Sequence, residues 1–356
     1  MTRTRRWSLL LAAMAGVVLL GAQPAMACGG LVGPGGTVQL GRTTTLAGYH
    51  DGVEHYLTSF TYTGGGARFG SIVPLPGVPD DVRKGGEWTL QRLVRETQPQ
   101  PEALRTATFT ADSSQAAEEL LTTRVDALDI TVLRGGGRAV GDWAREHGFG
   151  LSVDAPEVLD FYASRSPIFL AAAFDGDAAA ERGQQLGDGT PVHITIPTDN
   201  PWVPLRILAL GKTGEERVEA DVFLLTDEAP ALLPAPGGGD DGMRLDHSAA
   251  ATTSLLDDLR SDRGMEWIPS DAWLTKVAID AAAASLSYDL AIDASGAGAP
   301  SPVDAGFTLV TVGDVVQLAR EQGIDVGRAL LAVVLSLIGA AGVMVAAGFR
   351  PGGERR

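Results

Sequence analysis

Two runs rich in β-branched and aromatic residues, 38–49 and 53–62, flank His50-Asp51-Gly52. Asp-Gly between such runs predicts a tight antiparallel hairpin, because that turn needs positive φ at its central positions. Residues 69–75 (FGSIVPL) predict a third strand, ended by Pro74 and Pro76. The apolar spacing then turns helical, with Trp88, Leu90, Leu93 and Val94 on one face of a helix over 87–97. A short helix is expected over 116–122 and a strand over 128–133. Gly135-Gly136-Gly137 leads into a helix over 139–147, closed by Gly148. Residues 155–164 predict a helix with Pro156 in its first turn.

Strands follow over 168–174, 190–197, 205–210 and 218–225, then a Pro/Gly-rich break beginning at Pro234. That break marks a candidate division of the domain near 234–247. Beyond it come a helix over 249–260 and strands over 273–280 and 286–292. No repeat recurs at a fixed period. The pattern predicts an α+β fold, mostly antiparallel sheet with inserted helices, over residues 28–293.

The two ends read differently. Arg3, Arg5 and Arg6 precede the apolar run 8–21, Pro24 breaks it, and Ala25-Met26-Ala27 supplies small residues for a signal peptidase. Residues 1–27 are therefore expected to be a signal peptide, cleaved after Ala27 so that Cys28 leads the mature chain. Cys28 is also a candidate for lipidation, although Ala25 stands where a lipoprotein signal usually places Leu. It is the sole cysteine, so no internal disulfide can form. Residues 294–306 read as a flexible linker and 307–328 as a juxtamembrane segment with a helix over 312–322. The uncharged stretch 329–349 matches a bilayer in length and is expected to be one C-terminal transmembrane helix. The basic tail 350–356 would then stay in the cytoplasm. These readings place the protein in the cell membrane, single-pass, with its bulk outside.

Charge narrows the partners. Removing the +3 of Arg3, Arg5 and Arg6 and the +2 of residues 350–356 from the net −16 leaves −21 for the stretch between. Such a domain repels nucleic acid, whose binding depends on basic side chains. The expected contacts are the membrane, through the single span, and other envelope or secreted proteins.

Candidate chemistry is sparse. Of five histidines only His50 and His55 are close in sequence, and a third ligand is not indicated, so ordinary polar turn and strand roles are the reading and no metal is assigned. There is no Gly-x-Ser-x-Gly elbow, and the triple glycines lack the Lys-Ser/Thr ending of a phosphate loop. Asp175-Gly176-Asp177 and Asp240-Asp241 do not extend into a calcium loop and read better as loops or helix starts. Catalytic residues and cofactors are therefore assigned to none. The most unusual local chemistry is the segment 199–206, where Trp202 lies between Pro201 and Pro204 near Arg206. Trp202 and Arg206 are candidates for a recognition surface; the competing reading buries Trp202 as a core plug and pairs Arg206 with an acidic neighbour.

Several segments together resemble a bacterial family, domain of unknown function 2330. They are Cys28-Gly29-Gly30, SIVPLPGVP (71–79), WAREHGF (143–149), PWVPLRILAL (201–210), DVFLLTD (221–227) and AWLTKVAID (272–280). The resemblance covers roughly residues 28–293. It implies an exported, often membrane-tethered domain, and it carries no known catalytic residues. The leading expectation is a binding or scaffold module of the bacterial cell envelope. The alternative is an envelope-associated hydrolase whose carboxylates are brought together by the fold.

Overall fold

The computed structural model describes residues 30–33, 36–37, 42–61, 70–97, 117–184, 189–237, 242–295 and 298–307. In chain order its strands begin β1 (Gly30–Gly33), β2 (Gly36–Thr37), β3 (Thr43–His50), β4 (Val53–Thr61), β5 (Gly70–Leu75) and β6 (Asp81–Lys84). Helix α1 (Thr89–Glu96) precedes β7 (Glu118–Val125), β8 (Leu128–Arg134), α2 (Gly137–Glu146) and α3 (Ala155–Ala163). Then come β9 (Ile168–Phe174), α4 (Gly176–Glu181), β10 (Gly189–Pro197), β11 (Trp202–Val203), β12 (Arg217–Thr226) and β13 (Ala231–Leu233). The last elements are β14 (Met243–Ala250), α5 (Thr253–Ser261), β15 (Trp273–Ala282) and β16 (Leu290–Asp293).

The strands form a seven-stranded sheet in the order β14-β15-β12-β3-β4-β10-β6, a six-stranded sheet β2-β1-β5-β9-β8-β7, and a small sheet β11-β16-β13. Every described pairing is antiparallel except β3 with β12, which run parallel with Ala220 opposite Thr43. The β3–β4 hairpin turns at Asp51 (φ 49°) and Gly52 (φ 77°), as Asp-Gly predicts.

Alternation along the strands sorts the side chains of the seven-stranded sheet between two cores. Ala47, Tyr56, Phe60, Val222, Leu224 and Val277 join the large core, which also takes up Ile72 and Val73 of β5, Leu170 of β9 and Val132 of β8 from the six-stranded sheet. Their neighbours Leu46, Leu57, Phe223, Leu225 and Leu274 point the other way, into a smaller core with Leu90 and Leu93 of α1 and Leu255, Leu256 and Leu259 of α5. Helix α1 starts without a capping side chain of its own. Asp262, beyond α5, supplies the cap by accepting from the N–H groups of Glu87, Trp88 and Thr89 and from Thr89 Oγ1. That remote cap ties the two covering helices together.

Three elements differ from the sequence-based expectation. Residues 116–122 were expected to be helical, but 118–122 belong to β7, which forms a hairpin with β8. The β-branched Thr122, Thr123 and Val125 favour the extended chain, and Asp126 turns it at φ 53°. Residues 205–210 were expected to form a strand, yet Arg206–Ala209 is a 3-10 turn. The N–H groups of Leu205 and Arg206 are drawn to the Asp289 carboxylate and that of Ile207 to the Tyr162 hydroxyl, leaving no ladder to join. The helix expected over 249–260 begins only at Thr253, because residues 249 and 250 belong to β14, which continues the main sheet against β15.

The α+β class stands, and the membrane-spanning helix expected beside it is not among the described helices. No helix among the described residues is long and apolar enough to cross a membrane. The longest of them, α2, has 10 residues, against about 20 for a span. The expected span 329–349 lies outside the described residues, as do residues 1–27, the Ala27–Cys28 junction, the helix over 312–322 and the tail 350–356. Within 294–306, read as a linker, Ala305 is fully buried and its carbonyl accepts the backbone N–H of Asp289.

Candidate functional site

Strand β4 places Glu54, Tyr56, Thr58 and Phe60 on one face and His55, Leu57 and Ser59 on the other. Its neighbour β10 places His193 and Thr195 on the His55 side, with Thr195 opposite His55 and His193 opposite Leu57. The diagonal pair His55 and His193 meet at 3.0 Å, Nδ1 to Nε2. Trp267, from the loop after α5, lies flat on His55, the ring centroids 4.0 Å apart and the planes inclined by 3°. It also stacks over His193 at 5.6 Å.

Two glycines make room for this stack. A Cβ at Gly48, opposite His55 on β3, would overlap the Trp267 ring, and a Cβ at Gly85 would crowd Leu57 and His193. His193 is fully buried and His55 is half-buried. Burial pushes the His55 imidazole down to about 4, helped by the nearby charges of Arg83 and His50. It pushes His193 down to about 3, with His55 and Arg83 adding to the effect. Both rings are therefore neutral at pH 7, one nitrogen of each carrying a proton and the other a lone pair. His193 Nδ1 and Trp267 Nε1 are buried without a hydrogen-bond partner among the described residues.

The structure thus gives His55 a different companion from the one its sequence neighbourhood offers. His50 closes β3 with Nδ1 2.6 Å from Asp227 and Nε2 3.3 Å from Asp51. The partner of His55 comes from 138 residues away. Among the described residues no three His, Cys, Asp or Glu side chains converge as a metal-ligand group. Asp175 caps α4 by accepting from the Ala178 N–H, while Asp240 and Asp241 lie outside the described residues.

Glu54, on the opposite face, has no exposed surface, and both carboxylate oxygens lack a hydrogen-bond partner among the described residues. Burial raises it to about 8, with only a weak counter-influence from the Trp202 backbone N–H. A carboxyl in this setting is protonated at neutral pH.

Asp289 and Asp221 are buried acids tied into networks. Asp289 accepts from the Tyr162 hydroxyl (2.8 Å), the N–H groups of Leu205 (2.7 Å) and Arg206 (3.0 Å), and the Arg165 guanidinium. Burial still pushes Asp289 up, although Arg165 opposes the shift. Trp202 is 1% exposed within this knot, with the Arg165 guanidinium 5.0 Å from its ring centre. Arg206 lies over the Phe161 ring and pairs with Glu157. The two residues are thus close in the fold, Trp202 in the core and Arg206 at its edge.

On the sheet face of the smaller core, Asp221 binds Arg42 through two hydrogen bonds of 2.6 and 2.8 Å. Lys276 Nζ bridges Asp221 (3.1 Å) and Asp246 (3.4 Å). Asp221 is the meeting point of this network, and although burial works to raise its pKa, Arg42 and Lys276 together hold it below the ordinary carboxylate range.

A family model described as an uncharacterized protein conserved in bacteria, domain of unknown function 2330, matches residues 22–229. The chain belongs to this family. The DUF2330 match includes His55 and His193 and stops before Trp267, in mid-sheet between β12 and β15. No curated protein matches the sequence. Among solved structures, a mutated baculovirus P35 after caspase cleavage aligns over 72% of this chain and 98% of its own, at 6% identity and a TM-score of 0.37. Baculovirus P35 itself aligns over 70% and 96%, at 7% identity and a TM-score of 0.36. A likeness so slight carries neither a fold nor a function to this DUF2330 protein.

Proposed function

We propose that this DUF2330 protein is a binding or scaffold module that works outside the cytoplasm, on other envelope or secreted proteins of its bacterium. The observation that carries the reading is how its buried acids are used. Asp289 and Asp262 each accept four internal hydrogen bonds, and Asp221 is held by Arg42 and Lys276. These acids fix loops and helix ends, which is what a rigid recognition body needs. The hydrolase alternative would need a carboxylate kept protonated beside an ionised one. Asp221 and Asp246 converge on Lys276, and Asp221 is held ionised; other paired carboxylates, such as Glu87 and Asp126 on Lys84, likewise share a cation. The acidic middle of the chain and the signal-like residues 1–27 support an exported protein that avoids nucleic acid.

Chemical cross-linking in intact cells tests the reading. The same partner protein is expected in repeated experiments, with the cross-links falling within residues 42–306. Failure to recover any partner across growth conditions, together with turnover of a glycan or peptide substrate by the purified protein, would transfer the case to the hydrolase.

A further inference from the structure

We infer that the turn of the β3–β4 hairpin is a site for a divalent cation of the zinc class, bound by His50 Nε2 and the Asp51 carboxylate while Asp227 steadies the imidazole from behind. This goes beyond the protein-binding reading and stands independently of it. The fold builds the arrangement in two steps. Thr226 of β12 lies opposite Tyr49 in the parallel ladder, so Asp227 follows beside His50, and its Oδ1 stands 2.6 Å from His50 Nδ1. The Asp-Gly turn then folds Asp51, at φ 49°, back to the other ring nitrogen, with Oδ2 3.3 Å from Nε2. Both supports are pinned. The Thr198 N–H donates to the Gly52 carbonyl, and Thr226 Oγ1 donates to the Glu228 carbonyl.

A carboxylate accepts hydrogen bonds and donates none, so the short contact with Asp227 puts the proton of the neutral ring on Nδ1 and its lone pair on Nε2. A ligating histidine is commonly held this way, the outer carboxylate fixing the tautomer and raising the basicity of the metal-binding nitrogen. Zinc–nitrogen and zinc–oxygen bonds of about 2.1 Å meeting near the tetrahedral angle hold their donors about 3.4 Å apart. The 3.3 Å between Nε2 and Oδ2 matches that spacing. An imidazole donor selects the zinc class over magnesium and calcium, which take oxygen ligands. Two carboxylates face the incoming charge, and neither is paired with a lysine or arginine among the described residues. Asp227 offers no donor atom to the ion, so the chain supplies two ligands and not a three-residue group. The remaining positions fall to water, because the His50 and Asp51 side chains are 40% and 88% exposed. Such an ion stays open to exchange and to a further donor.

The test uses the full-length protein carrying Cys28→Ser, so that the lone thiol does not compete for the probe. Zn(II) is titrated at pH 7 in a non-coordinating buffer and followed by calorimetry. One equivalent is expected to bind, with affinity at least about tenfold weaker in His50→Gln and in Asp51→Asn, and about 10–100-fold weaker in Asp227→Asn. His247→Gln is expected to bind as the parent does, and a large excess of Mg(II) should leave zinc binding unchanged. Imidazole NMR of the parent gives a readout that does not depend on folding of the variants: the His50 ring signals should shift on adding Zn(II) while those of His147 and His247 stay fixed. Absence of a bound equivalent in the parent, unchanged affinity in His50→Gln, or His50 signals that do not move would each overturn the assignment. Displacement of the zinc by Mg(II) would overturn it too, since that is the behaviour of an acidic surface without an imidazole ligand.

Discussion

Glu54 gives the sharpest quantitative test of the structure. In the unfolded chain its carboxyl titrates at the ordinary 4.5, while in the fold burial raises it to about 8. The sign follows from proton counting. Below pH 4.5 both states are protonated and Glu54 costs nothing through ionisation. Between 4.5 and 8 the unfolded state releases its proton and the folded state keeps it, so stability falls with rising pH, and the loss levels off above 8. At pH 7 the interval is about 2.5 pH units, and at about 1.4 kcal/mol per unit the penalty is about 3 kcal/mol.

Glu54→Gln is close in shape and cannot ionise. Urea unfolding of both proteins, from pH 4.5 to 8.5, should give equal stabilities at the acid end. The variant should gain steadily on the native protein, reaching an advantage of about 3 kcal/mol at pH 7. His55, His193 and the other titrating groups are shared by both proteins and cancel in the difference. Parallel curves across the whole range would show that Glu54 is ionised or solvated in the fold, and the burial argument would be wrong.

Other outcomes follow from the same packing. Asp289→Asn leaves the buried Arg165 without its counter-charge, and a loss of about 3–5 kcal/mol is expected, read as a fall in thermal midpoint of about 10 °C. Asp262→Ala removes the cap of α1, and unfolding should become easier by at least about 1 kcal/mol, with helix α1 losing amide-exchange protection first. Gly48→Val drives a side chain into the Trp267 ring; a destabilisation of about 1–3 kcal/mol and a red-shifted tryptophan emission are expected. On the acid side, the two depressed histidines predict stability lost as pH falls below 6.5, because the unfolded chain takes up protons that the fold refuses. Replacing both with Gln should flatten that limb of the stability profile.

Local signals in the sequence were legible wherever local physics decides the structure. Asp51-Gly52 specified its hairpin, Pro156 opened α3, and Gly148 ended α2 with φ 85°. Reading failed where a distant group overrides the local preference. The 3-10 turn at 206–209 exists because Asp289 and Tyr162 capture its N–H groups, and nothing within the segment announces them. The His55–His193 pair was hidden for a similar reason. Alternation places a histidine on a covered face of each strand, but only the pairing of β4 with β10 makes them neighbours. The one usable signal was His55 and His193 each standing one residue from a core position, Tyr56 and Ile194, within an apolar strand.

The parallel seam between β3 and β12 has a consequence for biosynthesis. Thr43 finds its partner at Ala220, so the amino-terminal hairpin, complete at Thr61, lacks its inner neighbour until some 159 further residues have been made. At about 5–20 residues per second that interval is on the order of 10–30 s, during which a sticky β-ribbon waits with an open flank. β15 and α5 arrive later still, beyond residue 229. A ribosome-bound chain halted at that residue should therefore still need a holdase, and should become protease-resistant only after Ala282 has emerged.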